Sequence, residues 1–110
     1  GGGAVIGTGI VGDLMLSAGY VVLGWTVLAD QSGSIVVDIW SDTYANFPPT
    51  VADTIAGTEK PTISAATKGQ DLSLSSFTTT LAAGSILRFN VDSCTSIMTA
   101  NVILHCAKVG

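Results

Sequence analysis

Two apolar runs, Tyr20–Ala29 and Ser34–Ser41, flank the polar stretch Asp30-Gln31-Ser32-Gly33. The runs are rich in Val, Ile, Trp, Tyr and Thr, residue types that fit a pleated, half-buried surface. Asp, Ser and Gly form turns, and Gly33 can take a positive φ without steric cost. The pattern predicts a β-hairpin. The same vocabulary recurs along the chain and predicts about eight short strands: Ala4–Ile6, Gly12–Leu16, the two hairpin strands, a brief Thr62–Ser64, then Ser76–Leu81, Ile86–Val91 and Ile97–Lys108. Ala83-Gly84 and Asp92–Ser96 read as turns. Strands at this spacing predict an all-β fold, an antiparallel, jelly-roll-like β-sandwich.

Alternation assigns faces. Ile35, Val37 and Ile39 oppose Val36, Asp38 and Trp40; Leu87, Phe89 and Val91 oppose Arg88 and Asn90. In the last strand Met98, Ala100, Val102, Leu104 and Cys106 oppose Thr99, Asn101, Ile103 and His105. The first set in each case is the expected core. The opposite faces are mixed rather than charged, as a subunit interface would be. Tyr20–Ala29 is apolar on both faces, which predicts cover on both sides. The long connection Asp42–Lys60 carries one expected helical turn near 50–56. Thr50 caps it, Asp53 stands at its third position and Gly57 ends it.

Charge changes this picture. The chain has 110 residues, enough for one domain over 1–110. Only 11% of residues are charged, against ~25% in an average domain. Low charge with abundant apolar residues predicts surface buried between chains. The net charge is −4, so no basic patch recommends a nucleic-acid partner. Tyr20–Ala29 is about half the length that a membrane-spanning helix needs, so membrane insertion is not expected. Gly1–Gly3 reads as a linker or an appended scar.

Candidate chemistry is sparse. Gly7-Thr8-Gly9-Ile10-Val11-Gly12 matches G-x-G-x-x-G and follows an apolar triplet. A dinucleotide site also needs a helix after the last glycine. Only Asp13–Ala18 separates Gly12 from Gly19, too short to run back along a strand. Glycines at strand ends explain the motif better. His105 is the sole histidine and reads as structural. Most carboxylates sit in turns; mid-strand Asp38 and Arg88 suggest an ion pair. No catalytic residue, cofactor or metal is expected. Cys94 and Cys106 lie ~12 residues apart along an extended segment, far beyond the ~7 Å a disulfide tolerates. Both are expected as free thiols, Cys106 in the core, in a chain folded in a reducing cytoplasm.

The stretches ADQSGSIVVDIWSDTYANFPPTVADTIAGTEKPTIS (Ala29–Ser64) and AAGSILRFNVDS (Ala82–Ser93) resemble a module at the C-terminal end of tailed-bacteriophage tail fibres and related virion proteins. The resemblance spans Gly12 to Val109. It implies the C-terminal β-sandwich of a longer fibre protein, a homotrimer at the virion's fibre tip that contacts the bacterial host surface or caps the fibre. Cys94 and Cys106 depart from it, standing where small or apolar residues are expected. It carries over no binding residue. From the residues themselves, Tyr44, Asn46 and Phe47 in the long connection are the candidate receptor contacts if Tyr44 is exposed; the alternative is that Tyr44 and Phe47 fold inward and anchor the loop. As contacts, the three offer aromatic stacking and an amide to a polysaccharide or an outer-membrane protein. The alternative is a carbohydrate-binding module of a secreted enzyme, which predicts a monomer with coplanar exposed aromatics.

Overall fold

The computed structural model describes residues 4–109, and Gly1–Gly3 lie outside them. Six strands follow in order: β1 (Gly9–Met15), β2 (Gly19–Asp42), β3 (Thr62–Asp71), β4 (Thr80–Leu81), β5 (Ile86–Thr95) and β6 (Ala100–Val109). One 3-10 turn, Val51–Asp53, lies between β2 and β3. Every pairing is antiparallel. The fold is all-β, as the alternation predicts.

The expected hairpin is instead one strand. β2 runs unbroken through Asp30–Gly33 and never pairs with itself. Both of its halves find partners elsewhere. Along one edge, β5 pairs with Ser34–Asp42 and β6 continues the same edge from Ala29 to Gly19. Along the other edge lie β3, opposite Trp25–Val36, and β4, opposite Tyr20 and Val21. The stretch taken for a turn is where the sheet bends and the β5–β6 corner docks. The Asp30 carboxylate accepts the Met98 and Thr99 N–H groups, at 3.2 and 3.0 Å, and Gln31 donates to the Ser96 carbonyl. Gly33 serves close approach rather than a positive φ: a Cβ there would collide with the Thr95 carbonyl and the Ile97 side chain.

A bulge explains the doubly apolar run. Between Val22 and Gly24 the register with β6 slips by one residue, and the alternation changes face. Val22, Trp25 and Val27 are therefore all buried, while Leu23 and Leu28 are exposed. The expected cover on both sides of this run is absent from Leu23 and Leu28. The other half of β2 follows its assigned faces: Ile35, Val37 and Ile39 are buried with Leu87 and Val91.

Other boundaries shift. β3 continues seven residues past the expected Ser64, through a polar stretch at the sheet's edge. Gly69 in it meets the Thr62 backbone, a contact that leaves no room for a Cβ. Ser76–Thr79 is not strand, because Ser75, Ser76 and Phe77 turn their N–H groups onto the Glu59 carboxylate. Ala4–Ile6 is not strand either, although the Ile6 N–H reaches the Ile97 carbonyl at 3.0 Å. The chain corner lies at Ser96–Thr99, not Asp92–Ser96, and Ser96 takes φ 67° there.

The bend brings the β5 and β6 faces together, so Phe89 and Val102 line the same cavities. The core holds Val22, Trp25, Val27, Ile35, Val37, Ile39, Ile63, Leu87 and Ile97. Cys106 is a correction: it shares the expected face but lies exposed at the open end of that space. Cys94 and Cys106 are both free. They pair opposite Ile35 and Val22 on the same edge of β2, so the strand holds them roughly 43 Å apart along its path.

Candidate functional site

The connection after β2 divides into an anchored part and a projecting part. Anchoring starts from Asp38, which is 1% exposed. Its carboxylate accepts from Thr54 Oγ1 at 2.6 Å and Trp40 Nε1 at 3.0 Å, and faces Lys60 Nζ at 3.5 Å. Ile55 donates its N–H to the Ile39 carbonyl, and Ile55 and Ala56 are buried beside the strand. Of the mixed face Val36, Asp38 and Trp40, expected at a subunit interface, Asp38 and Trp40 are thus covered by the chain's own loop. Farther along, Trp25 Nε1 donates to the Glu59 carbonyl at 2.8 Å. Lys60 also pairs with Asp92 at 2.7 Å, and this hydrogen bond raises the lysine's pKa.

The projecting part is Thr43–Phe47. Asp42 Oδ1 accepts the Thr43 N–H at 2.8 Å and the Asn46 side-chain amide at 3.3 Å. The Asn46 and Phe47 N–H groups return to the Thr43 and Tyr44 carbonyls. These bonds close a tight turn whose polar side chains satisfy its own backbone. Tyr44 is 77% exposed at its tip. Phe47 is 44% exposed, and the Arg88 guanidinium carbon lies 5.0 Å above its ring centre, within cation–π range. Behind the tip, Pro49 is fully buried. Asp53 accepts the Thr50 N–H at 2.8 Å and sets the 3-10 turn. The expected helical turn is present in this shortened form.

Arg88 does not pair with Asp38. It lies directly across from Asp13 on β1, and the two form a two-pronged pair at 2.7 and 3.0 Å. The hydrogen bond from Arg88 holds the Asp13 carboxyl below its ordinary range. Asp38 sits opposite Asn90 instead, and its charge faces Lys60. Spacing along the chain does not decide between the two, because both strands flanking β5 supply a carboxylate.

The three residues expected at the site are therefore together in one turn, but not equivalent. Tyr44 is free to meet a ligand. Asn46 spends part of its amide on Asp42. Phe47 presents one face while Arg88 covers the other. Arg88 itself joins the site through Phe47, a contribution not legible from spacing.

His105 and the glycine motif do not build a second site. Gln70 Nε2 donates to Thr26 Oγ1 at 2.9 Å, and Thr26 Oγ1 lies 2.7 Å from His105 Nε2. Thr26 thus ties the Gln70 amide to the His105 ring. The Gly7–Gly12 segment leads into β1, and strand rather than helix follows. Among the described residues no group of three or more His, Cys, Asp or Glu side chains gathers where a metal could bind. No helix among them is long and apolar enough to cross a membrane.

A second feature is an apolar groove. β1 pairs only with β5, and β6 only with β2. Between β1 and β6 the sheet leaves two adjoining cavities of about 360 Å³ each, both lined by Phe89 and Val102. Val11, Leu14 and Met15 stand at the rim, each more than half exposed. Comparison of the chain with protein-family models, curated proteins and solved structures finds no match.

Proposed function

We propose that this chain is a non-enzymatic tip module of a bacteriophage tail fibre, a homotrimer in the virion that contacts the bacterial host surface through the Thr43–Phe47 turn. The observation that carries the contact site is Tyr44, exposed at the tip of a turn whose base is fixed by Asp38, Pro49 and the Arg88–Phe47 stack. A rigid base spares a ligand the cost of ordering the loop. An aromatic face with a hydroxyl, beside an amide, suits the C–H faces and hydroxyls of a surface polysaccharide or a protein receptor. The sequence resemblance supplies the fibre context. The carbohydrate-binding alternative has Tyr44 and half of Phe47 in its favour; Trp25 and Phe77 are buried, so they add no ring to a binding platform.

The test is adsorption of the labelled protein to a panel of bacterial strains. Tyr44→Ala is expected to weaken adsorption at least about tenfold, the scale of one aromatic anchor, with an unchanged melting temperature. Adsorption at the unmutated level would move the contact elsewhere. Failure of the unmutated protein to adsorb to any strain would favour fibre capping over receptor binding.

A further inference from the structure

We infer that Asp13 is a positioning residue for the Thr43–Phe47 contact turn: from β1 it holds the Arg88 guanidinium against the Phe47 ring, and so fixes the face that the ring presents to a ligand. The inference rests on the contact-turn reading and deepens it by carrying the site one residue further, to a strand that is not the turn's neighbour in the sheet. β5 stands between β1 and β2. On β5, Arg88 lies opposite Asp13 on one side and Trp40 on the other. The chain leaves β2 at Asp42, two residues past Trp40, and brings Phe47 back over Arg88, with the guanidinium carbon 5.0 Å from the ring centre. The link from β1 to the turn is two contacts long.

Arginine needs such a hold. Its side chain has many rotamers, and a guanidinium tied at no point spends little of its time against any one ring. Asp13 accepts from Nε at 2.7 Å and from Nη2 at 3.0 Å. Two parallel bonds from one edge of the fork fix the plane of the guanidinium as well as its place. The other carboxylates on this part of the sheet have partners of their own. Asp38 is occupied by Thr54, Trp40 and Lys60, Asp92 by Lys60 and Asn90, and Asp42 by Thr43 and Asn46. Among the described residues, Asp13 is the sole ion-pair partner of Arg88.

Phe47 needs the hold as well. Its ring belongs neither to the core nor to the side chains packed on it, so the core does not fix it. Asp13 is the one charge in a strand otherwise made of apolar residues and glycine. Its side chain is 35% exposed, and exposed ion pairs add little to stability. Stability alone is therefore a poor reason for a carboxylate at this position. Placing the guanidinium under an exposed ring of the contact turn is a specific one.

The experiment pairs adsorption to the bacterial panel with the NMR signals of Arg88, the sole arginine of the chain. Asp13→Asn is expected to weaken adsorption about threefold, the scale of one exposed cation–π contact. Arg88→Lys should do the same, because an ammonium cannot make the two-pronged pair. Asp13→Glu keeps the carboxylate and should adsorb nearly as the unmutated protein does. In the Phe47→Leu background Asp13→Asn should cause no further loss of adsorption. A merely structural role would instead lower adsorption and melting temperature alike in both backgrounds. The Arg88 δ protons, shifted by the ring current of Phe47, should move towards the values of a free arginine in both Asp13→Asn and Phe47→Leu. That measurement decides the matter even where the double variant adsorbs too weakly to quantify. Adsorption of Asp13→Asn at the unmutated level, Arg88 signals that stay in place in that variant, or equal fold-losses in the two backgrounds overturn the positioning role and leave Tyr44 as the contact. An unmutated protein that adsorbs to no strain overturns the contact turn and this role together.

Discussion

Asp38 stands out because a carboxylate in mid-strand is almost wholly buried yet fully occupied by Thr54, Trp40 and Lys60. Burying a charge is costly unless its oxygens are paired. Here the pairing also fixes where the loop leaves the sheet, and so where Tyr44 projects. Removing the carboxylate would orphan a hydroxyl, an indole N–H and an ammonium. Asp38→Ala is expected to lower unfolding free energy by about 2–4 kcal/mol, read as a lower urea midpoint at constant slope. Asp38→Asn keeps one carbonyl acceptor and should lose less. Equal losses for both variants would show that charge, not hydrogen bonding, holds the loop. The sequence exposed Asp38 as unusual but misassigned its partner. Two carboxylates, Asp13 and Asp38, compete for Arg88, and only strand order decides between them. Tyr44, Asn46 and Phe47 were legible as a candidate contact because loop aromatics beside prolines are conspicuous. The role of Arg88 at Phe47 was not, since 41 positions separate them in the chain.

At the scale of elements, β2 holds the fold together and was the element least legible in sequence. Its Asp-Gln-Ser-Gly stretch carries every local mark of a turn. Tertiary pairing overrides that preference, because each half of β2 is sandwiched between two neighbours and the polar side chains at the bend fasten the β5–β6 corner. The core faces were legible even so, because alternation survives wherever the register is unbroken; where a bulge shifts it, at Leu23-Gly24, the pattern read as apolar on both sides. The two roles available to Gly33 make different predictions. A turn glycine would suffer in Gly33→Ala through backbone strain; a close-approach glycine suffers through collision with Thr95 and Ile97. The collision is with backbone, which cannot swing away, so Gly33→Ala should cost about 1–3 kcal/mol. Gly12 also lies within a strand but has open space at its Cβ position, so Gly12→Ala should change stability by under about 1 kcal/mol. Comparable losses at both sites would remove the steric account of the bend.

Over the whole molecule, polar ties reinforce contacts between segments distant in sequence. Asp13 links β1 to β5, Asp30 links β2 to the β5–β6 corner, and Glu59 links the long connection to Ser75–Phe77. All three carboxyls titrate below their ordinary range. For Asp13 the main cause is the hydrogen bond from Arg88, and for Asp30 it is the Thr99 N–H. For Glu59, partial burial pushes upward, and the Ser76, Ser75 and Phe77 N–H groups together outweigh it. A carboxyl whose folded pKa lies below its unfolded value adds stability that is fully present above the unfolded value. That stability is lost as the pH falls through the folded pKa. With unfolded values near ~3.9 for Asp and ~4.3 for Glu, the unfolding free energy should be flat from about pH 5 to 7 and fall steadily below about pH 4. Glu59→Gln should be less stable than the unmutated chain at neutral pH, since a neutral amide oxygen holds the donors gathered on Glu59 Oε1 less strongly than a carboxylate oxygen does. Its acid limb should be shallower, because one fewer proton is taken up on unfolding at low pH. Urea midpoints measured across this range for both proteins decide the matter. Parallel acid limbs would mean that the Glu59 carboxylate is not one of the ties that acid releases, and that the Ser75–Phe77 segment is held by the burial of Phe77 and by the Thr58–Ser76 hydrogen bonds.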